Sequence, residues 1–293
     1  MIHDLSSIVN ADDADVTFQS SDNVLFHIHR RNLEAHTGAF PGKEFINDGE
    51  TVCLTEPAEV LEIVFQFIYP KRYPRLKDLD FDIVADVAEA VEKYEIFSAM
   101  LTCEVRLREF LPEHATDIFL HAVKHDYPDL MNETALLLGR SPFCESLGRL
   151  PPQCVLPWIE YRAEWQAVFE NAIQFIQRTM IHSNADCFDA SSEPSKPRHF
   201  ICSNCRPCLI TWVMELERMG SVSLLKKALE NPILSPYNPN HTWCHSCVGN
   251  HCKHVSRVVR MCQDAIDAIP PFTHFLWKKK SAAFVRVEKG ASC

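Results

Sequence analysis

The sequence predicts an α+β fold, a small sheet wrapped by helices and followed by an all-helical extension. Three observations carry that reading. Val16 and Phe18 alternate with polar neighbours, Ser20, Ser21, Asp22 and Asn23 supply turn chemistry, and Val24, Phe26 and Ile28 alternate again. That is a β-hairpin with one buried face. Within one residue of His29 the period changes from two to a helix-like spacing through Arg31, Leu33 and Phe40. Beyond a third short strand, apolar stripes at helical spacing then follow one another to residue 180.

The elements follow in order. Thr51 to Leu54 reads as the third strand, after a Gly- and Asp-rich loop over 41–50. Thr55 is the candidate cap of the next helix, with Pro57 near its first turn. Val60, Leu61, Val64, Phe65 and Ile68 give its buried stripe, and Pro70 and Pro74 end it. Ile83, Val84, Val87, Ala88, Val91 and Tyr94 form the following helix, and Leu101, Val105 and Leu111 suit the one after. Ile118, Phe119, Ala122 and Val123 form another stripe, and Leu130, Met131, Ala135, Leu136 and Leu138 the next. Pro142, Pro151, Pro152 and Pro157 punctuate the chain before a long helix on Trp158, Trp165, Val168, Phe169, Ala172, Ile173 and Ile176.

Phe26-x-x-His29-x-x-x-Leu33, spanning a hairpin-to-helix junction, resembles the opening of the BTB/POZ domain. Phe65-Gln-Phe-Ile-Tyr-Pro70 is similar to that family's Phe-Ile-Tyr signature, with Pro-Lys-Arg in place of a Gly-containing turn. The order strand, strand, helix, strand, helix, helix, helix is the one the resemblance requires. It implies a protein-interaction module, with other proteins as partners. Two departures bear on this. Self-association through an exchanged N-terminal segment is put in doubt, because only about fourteen residues precede Asp15. No hydrophobic-x-Glu element follows Phe40, so a ubiquitin-ligase adaptor role gains no support. The Pro-Pro-x-x-Val-Leu-Pro-Trp run from Pro151, with Tyr161, Arg162 and Trp165, resembles a region that follows the BTB domain in many fungal proteins.

Composition narrows the functional classes. Of 293 residues, 46% are hydrophobic, enough for a packed core. None of the eight glycines builds GxGxxG or a P-loop, which argues against a backbone cradle for nucleotides. No apolar signal core opens the chain and no apolar run is long enough for a bilayer, so an intracellular protein without membrane contact is expected. Thirteen cysteines then argue for thiols or metal ligands over disulfides. Residues 1–180 carry 15 Lys/Arg and 30 Asp/Glu, net −15; residues 181–293 carry 14 and 9, net +5. The acidic half is a poor nucleic-acid surface, and Lys278 to Lys280 read as a solvated charge run.

Two constellations could carry chemistry. His114, His121 and His125 share a face at i, i+7 and i+11 if one helix holds them, with Glu113 and Asp117 nearby, as a metal or proton-relay site would need. Solvated histidines on an exposed face account for the same pattern. The stronger signal lies further on. Cys202-x2-Cys205 and Cys244-x2-Cys247 are two knuckles that together supply four thiolates, the set preferred by a structural zinc. Cys187, His199, Cys208, His251, Cys252 and His254 compete as ligands, and the 38 residues between the knuckles exceed the usual spacing. Between the knuckles, Trp212, Val213 and Leu216 mark a helix ended at Gly220, and Leu224, Leu225 and Leu229 a shorter one. So little apolar area makes a metal staple physically useful there. Neither H-E-x-x-H nor H-x-E with P-C-x-x-C occurs, which disfavours a catalytic zinc.

The expected organisation is a BTB/POZ-like domain over 12–112, a helical extension over 113–180, a Cys/His-rich helical segment over 181–277 and a disordered tail over 278–293. Pro270 to Trp277 should fold back on the helices as an apolar anchor. The expected function is non-enzymatic interaction or adaptor work with a structural zinc in the C-terminal part. A zinc-dependent nucleic-acid-binding transcriptional regulator is the alternative; it should show Lys and Arg on one helix face beside the zinc, where Arg257 and Arg260 are nearly all that the second knuckle offers. A hydrolase built on the cysteines and histidines would need a low-pKa thiolate beside a base.

Overall fold

The computed structural model describes residues 13–39, 51–139, 148–182, 200–202, 205–220, 222–230 and 253–278. It is a mixed α+β chain in two compact units, 1–130 and 131–293.

In the first unit, β1 (Val16–Gln19) pairs antiparallel with β2 (Leu25–Ile28), and β3 (Thr51–Cys53) joins the other side of β1 in parallel, giving the order β2-β1-β3. The register sets Phe18 opposite Phe26 and Val16 opposite Ile28, so the apolar residues of both strands share the inner face. The turn is closed by Ser20, whose backbone N–H donates to Val24 O while its Oγ accepts from Val24 N–H, with Asn23 in the left-handed region at φ 66°. Helices α1 (Arg30–His36), α2 (Ala58–Gln66), α3 (Phe81–Lys93), α4 (Phe97–Arg108) and α5 (Ala115–His125) follow. The expected element order is present through α4.

Phe65 of α2 is the centre of this core, with ring centroids 5.5 Å from both Phe18 and Phe26. Phe67, Ile68 and Tyr69 are buried beyond the helix end, and Tyr69 reaches His29 at the start of α1. Its hydroxyl accepts the His29 backbone N–H at 3.3 Å and shares a hydrogen bond with His29 Nδ1 at 3.1 Å. Thr55 does not cap α2. Its hydroxyl donates to Glu56, and the first helical N–H, of Ala58, donates instead to Asp22 Oδ1 in the distant hairpin turn at 2.9 Å.

A larger correction concerns α4. Leu101 and Val105 do not enter the core, which takes Ala99, Cys103 and Leu107 from this helix; Leu111 lies past the helix end. Phe97, Leu101 and Val105 are 64%, 67% and 49% exposed.

Helix α6 (Pro128–Leu138) spans the division between the units. In the second unit α7 (Pro152–Arg178) starts earlier than expected, with Pro151 as N-cap and Pro152 at the first helical position, where a missing N–H costs no bond. Pro157 is carried inside it. The extension is not wholly helical either: β4 (Met180–His182) and β5 (Phe200–Cys202) form a two-stranded parallel sheet. Then come α8 (Cys205–Arg218), α9 (Val222–Glu230), α10 (Lys253–Asp267) and a last helix, α11, over 272–278. The apolar anchor is real, for Phe272, Phe275 and Leu276 are buried. Phe272 packs its ring 5.6 Å from Trp158 and 5.9 Å from Tyr161, and Thr273 N–H donates to Asn132 Oδ1. Among the described residues no helix is long and apolar enough to cross a membrane.

Candidate functional site

The described residues that gather metal-type ligands lie between α3 and α5. Periodicity places them. Val84, Val87, Ala88 and Val91 turn one face of α3 into the core, which leaves Glu89 and Glu92, three residues apart, at the edge of that face. On α5 the buried stripe of Ala115, Ile118, Phe119 and Ala122 leaves His121, Lys124 and His125 beside it. The two edges meet. Glu89 Oε1 stands 2.7 Å from His121 Nδ1, Glu89 Oε2 3.1 Å from His125 Nε2, and Lys124 Nζ also donates to Oε2.

Glu89, His121 and His125 bring one ligand atom each within 4.8 Å of one another, a group that could hold a metal ion. The imidazoles are 9% and 15% exposed and their ring centroids are 4.7 Å apart. A second carboxylate backs them: Glu92 Oε2 is 3.7 Å from His125 Nδ1, the nitrogen that faces away from Glu89. Tyr127 donates its hydroxyl to Glu92, and its ring lies parallel to that of His121 at 5.9 Å. Burial opposes ionisation of Glu89, but hydrogen bonds from His121, Lys124 and His125 outweigh it and hold the carboxyl well below the usual carboxylate range. Burial and the neighbouring Glu92 push the Tyr127 hydroxyl up. On α4, burial first and then the Glu92 charge push the Cys103 thiol up to about 12. Such a thiol stays protonated and is a poor nucleophile.

His114, the third member of the sequence constellation, is not part of this cluster. It stands at the N-cap position of α5, outside the regular helix and without a side-chain cap bond, and stacks on Phe81 with ring centroids 3.7 Å apart. Glu89 had no local signal, because it stands 32 residues before His121.

The four proposed zinc thiolates fall otherwise. Cys202 is the last residue of β5 and Cys205 the first of α8, so their knuckle straddles a strand-to-helix junction, and Cys208 sits in the first turn of α8. Cys244 and Cys247 lie outside the described residues, as do Cys187, His199, His251 and Cys252; His254 is in the first turn of α10. Arg257, one of the two basic residues open to a nucleic-acid reading, lies over the Phe175 ring at 4.8 Å.

Two surfaces complete the inventory. In the second unit, Ile159, Arg162, Trp165, Phe169 and Glu217 line a depression of about 450 Å³ whose wall, among the described residues, holds no Ser, Thr, Cys or His. In the first unit the exposed ridge of α4 runs Phe97, Leu101, Val105 and Glu109, one residue per turn, opposite the buried Ala99, Cys103 and Leu107. Glu109 at its end is paired with Arg106 at 2.7 Å. Compared with known families and curated proteins, the chain matches no family model and no curated sequence.

Proposed function

We propose that this chain is a non-enzymatic interaction protein whose first unit is BTB-like and docks a basic partner through the outer ridge of α4. The observation that carries the reading is the apolar stripe of Phe97, Leu101 and Val105 on a helix whose other face already fills the core. Exposed apolar side chains in a continuous row cost solvation unless something covers them. Eight helical steps from Phe97 to Val105 make the row about 12 Å long, suited to an amphipathic helix laid along it.

Charge supports a partner over a second copy. Residues 1–130 hold 25 Asp/Glu against 11 Lys/Arg, so two such units repel one another while a basic partner is drawn in. Kinship with the BTB fold is supported by the element order and by the meeting of the two resembling segments, where Tyr69 bonds His29. A structural zinc on Cys202, Cys205, Cys244 and Cys247 is retained on the strength of the paired two-residue gaps. It would tie α8 to the later chain.

The test is affinity capture from native extract, quantified by mass spectrometry, with the wild-type chain and a Leu101→Glu, Val105→Glu variant. Both positions face solvent, so the variant should keep its helical content by circular dichroism. A basic partner captured near stoichiometrically and released by salt should fall roughly tenfold or more with the variant, the scale of a lost central anchor. An unchanged partner set overturns the docking face. A tight dimer at micromolar concentration by light scattering, split by the same variant, would assign the ridge to a second copy instead.

A further inference from the structure

The cluster between α3 and α5 goes beyond the docking reading, since it sits on other helix faces and offers ligand chemistry. We propose that Glu89, His121 and His125 bind a zinc-class divalent cation that clamps α5 to α3. Two imidazoles one turn apart on a helix and a carboxylate from the facing helix are a three-ligand set of the kind zinc accepts, with water completing the tetrahedron.

The geometry is close to what the ion needs. Bonds of about 2.0–2.1 Å at tetrahedral angles put ligand atoms roughly 3.4 Å apart. Glu89 already stands 2.7 and 3.1 Å from the two imidazole nitrogens, and the whole set lies within 4.8 Å, so side-chain adjustment alone closes the site. The histidines cannot swing away easily, being largely covered by the helix pair and, for His121, stacked on Tyr127. Behind His125, Glu92 stands 3.7 Å from the nitrogen opposite its ligand nitrogen, just beyond hydrogen-bond distance, and Tyr127 donates to that carboxylate, so a small shift would supply the outer support that ligating imidazoles use.

Lys124 is the competitor. It donates to the same Glu89 carboxylate, yet its side chain is 64% exposed and can turn out to water. Binding would exchange the ammonium for a divalent ion at Glu89 and replace two carboxylate–imidazole hydrogen bonds by coordinate bonds. The ion's +2 charge falls in the more acidic half of the chain. A metal here would also be spectroscopically unlike one held by the four cysteines, because no thiolate takes part.

That difference makes the experiment decisive. The full-length chain is stripped with chelator under reducing conditions, then titrated with Co²⁺ and, separately, with Zn²⁺. Expected in Cys244→Ser, Cys247→Ser, which lacks the four-thiolate set, is one cobalt ion whose visible bands appear without a thiolate-to-cobalt charge-transfer band; wild type should show that ion beside a thiolate-bound one, and the further variants are made in the Cys244→Ser, Cys247→Ser background. His121→Ala and His125→Ala should each lose it, with loss of at least roughly tenfold in zinc affinity. Lys124→Ala, at an exposed position that cannot unfold the protein by its removal, should bind zinc several-fold more tightly. Cobalt bands of thiolate type alone, zinc affinity unchanged in the His variants, or Lys124→Ala binding no more tightly than the background it is made in would each overturn the clamp. In that event the cluster is an ion-pair clasp between two helices.

Discussion

Each of the two units is held together internally by its own chemistry. In the first, helices are cross-linked by half-buried carboxylates: Glu89 takes His121, Lys124 and His125, Glu92 takes Tyr127, and Glu56 takes Lys93 and Tyr94. In the second, the long helix α7 is tied to the C-terminal anchor by rings, with Trp158 and Tyr161 against Phe272 and Tyr161 against Phe275. Charged cross-links depend on protonation, whereas ring packing depends on volume. The units should therefore fail under different insults. The sequence also supplies separate reporters, since all five tryptophans lie beyond residue 131 and tyrosines 69, 73, 94 and 127 lie before it.

The sharpest break is a cavity in the second unit. Phe272 is fully buried between Trp158 and Tyr161. Phe272→Ala should destabilise this unit by about 3–5 kcal/mol, the range for deleting a buried aromatic ring. Urea unfolding followed by tryptophan fluorescence should shift to a much lower midpoint, while hydrogen exchange in β1, α2 and α3 keeps its wild-type protection. An equal loss of protection in both regions would show that they do not unfold separately, and the comparison would collapse.

Acid should work the other way. The carboxyls of Glu56 and Glu89 are held below their ordinary range by the hydrogen bonds they accept, against the effect of burial. A depressed carboxyl contributes stability that is complete above its unfolded value, about 4.3, and is lost as the pH falls through the folded value. The first unit should thus weaken from about pH 5 downward. Glu89→Gln should cost roughly 1 kcal/mol at neutral pH, a modest figure because the carboxylate is more than a third exposed and screened, and it should flatten the acid loss. Exchange protection of α3 and α5 at pH 7 and pH 4 measures both; an acid profile unchanged by the variant would remove Glu89 from the account.

The contrast also explains what could be read from the chain alone. Strand alternation at Val16, Phe18, Phe26 and Ile28 and the stripe of α2 were legible because one face of each is apolar and the other is not. Helix α4 defeats that logic. Phe97, Leu101 and Val105 repeat every four residues, and so do Ala99, Cys103 and Leu107; only packing decides that the smaller set goes inside. The strands β4 and β5 are three residues each, too short to show a period. At the candidate metal site, His121 and His125 could be recognised from their one-turn spacing, but Glu89 could not, because the pairing of α3 with α5 is a tertiary fact. His114 was grouped with them by spacing alone, whereas the helix begins only after it.

The same distinction between local and distant partners gives the smallest effect. The sequence offers Thr55 as the cap of α2, but the structure uses Asp22, 36 residues earlier, to accept the Ala58 N–H. A cap borrowed from the hairpin turn couples β-turn geometry to helix entry. Its carboxyl is held low by the Ser20 hydroxyl and then by the Ala58 N–H, so it acts as a charged acceptor at neutral pH. Asp22→Ala should lower the stability of the first unit by about 0.5–1 kcal/mol, the lower part of the range for a lost cap because the side chain is exposed. Asp22→Asn, which keeps an acceptor oxygen, should recover most of that loss, and Thr55→Ala should change little. Chemical denaturation of the three variants, read by far-ultraviolet circular dichroism, orders them; a larger loss for Thr55→Ala than for Asp22→Ala would return the cap to its local residue.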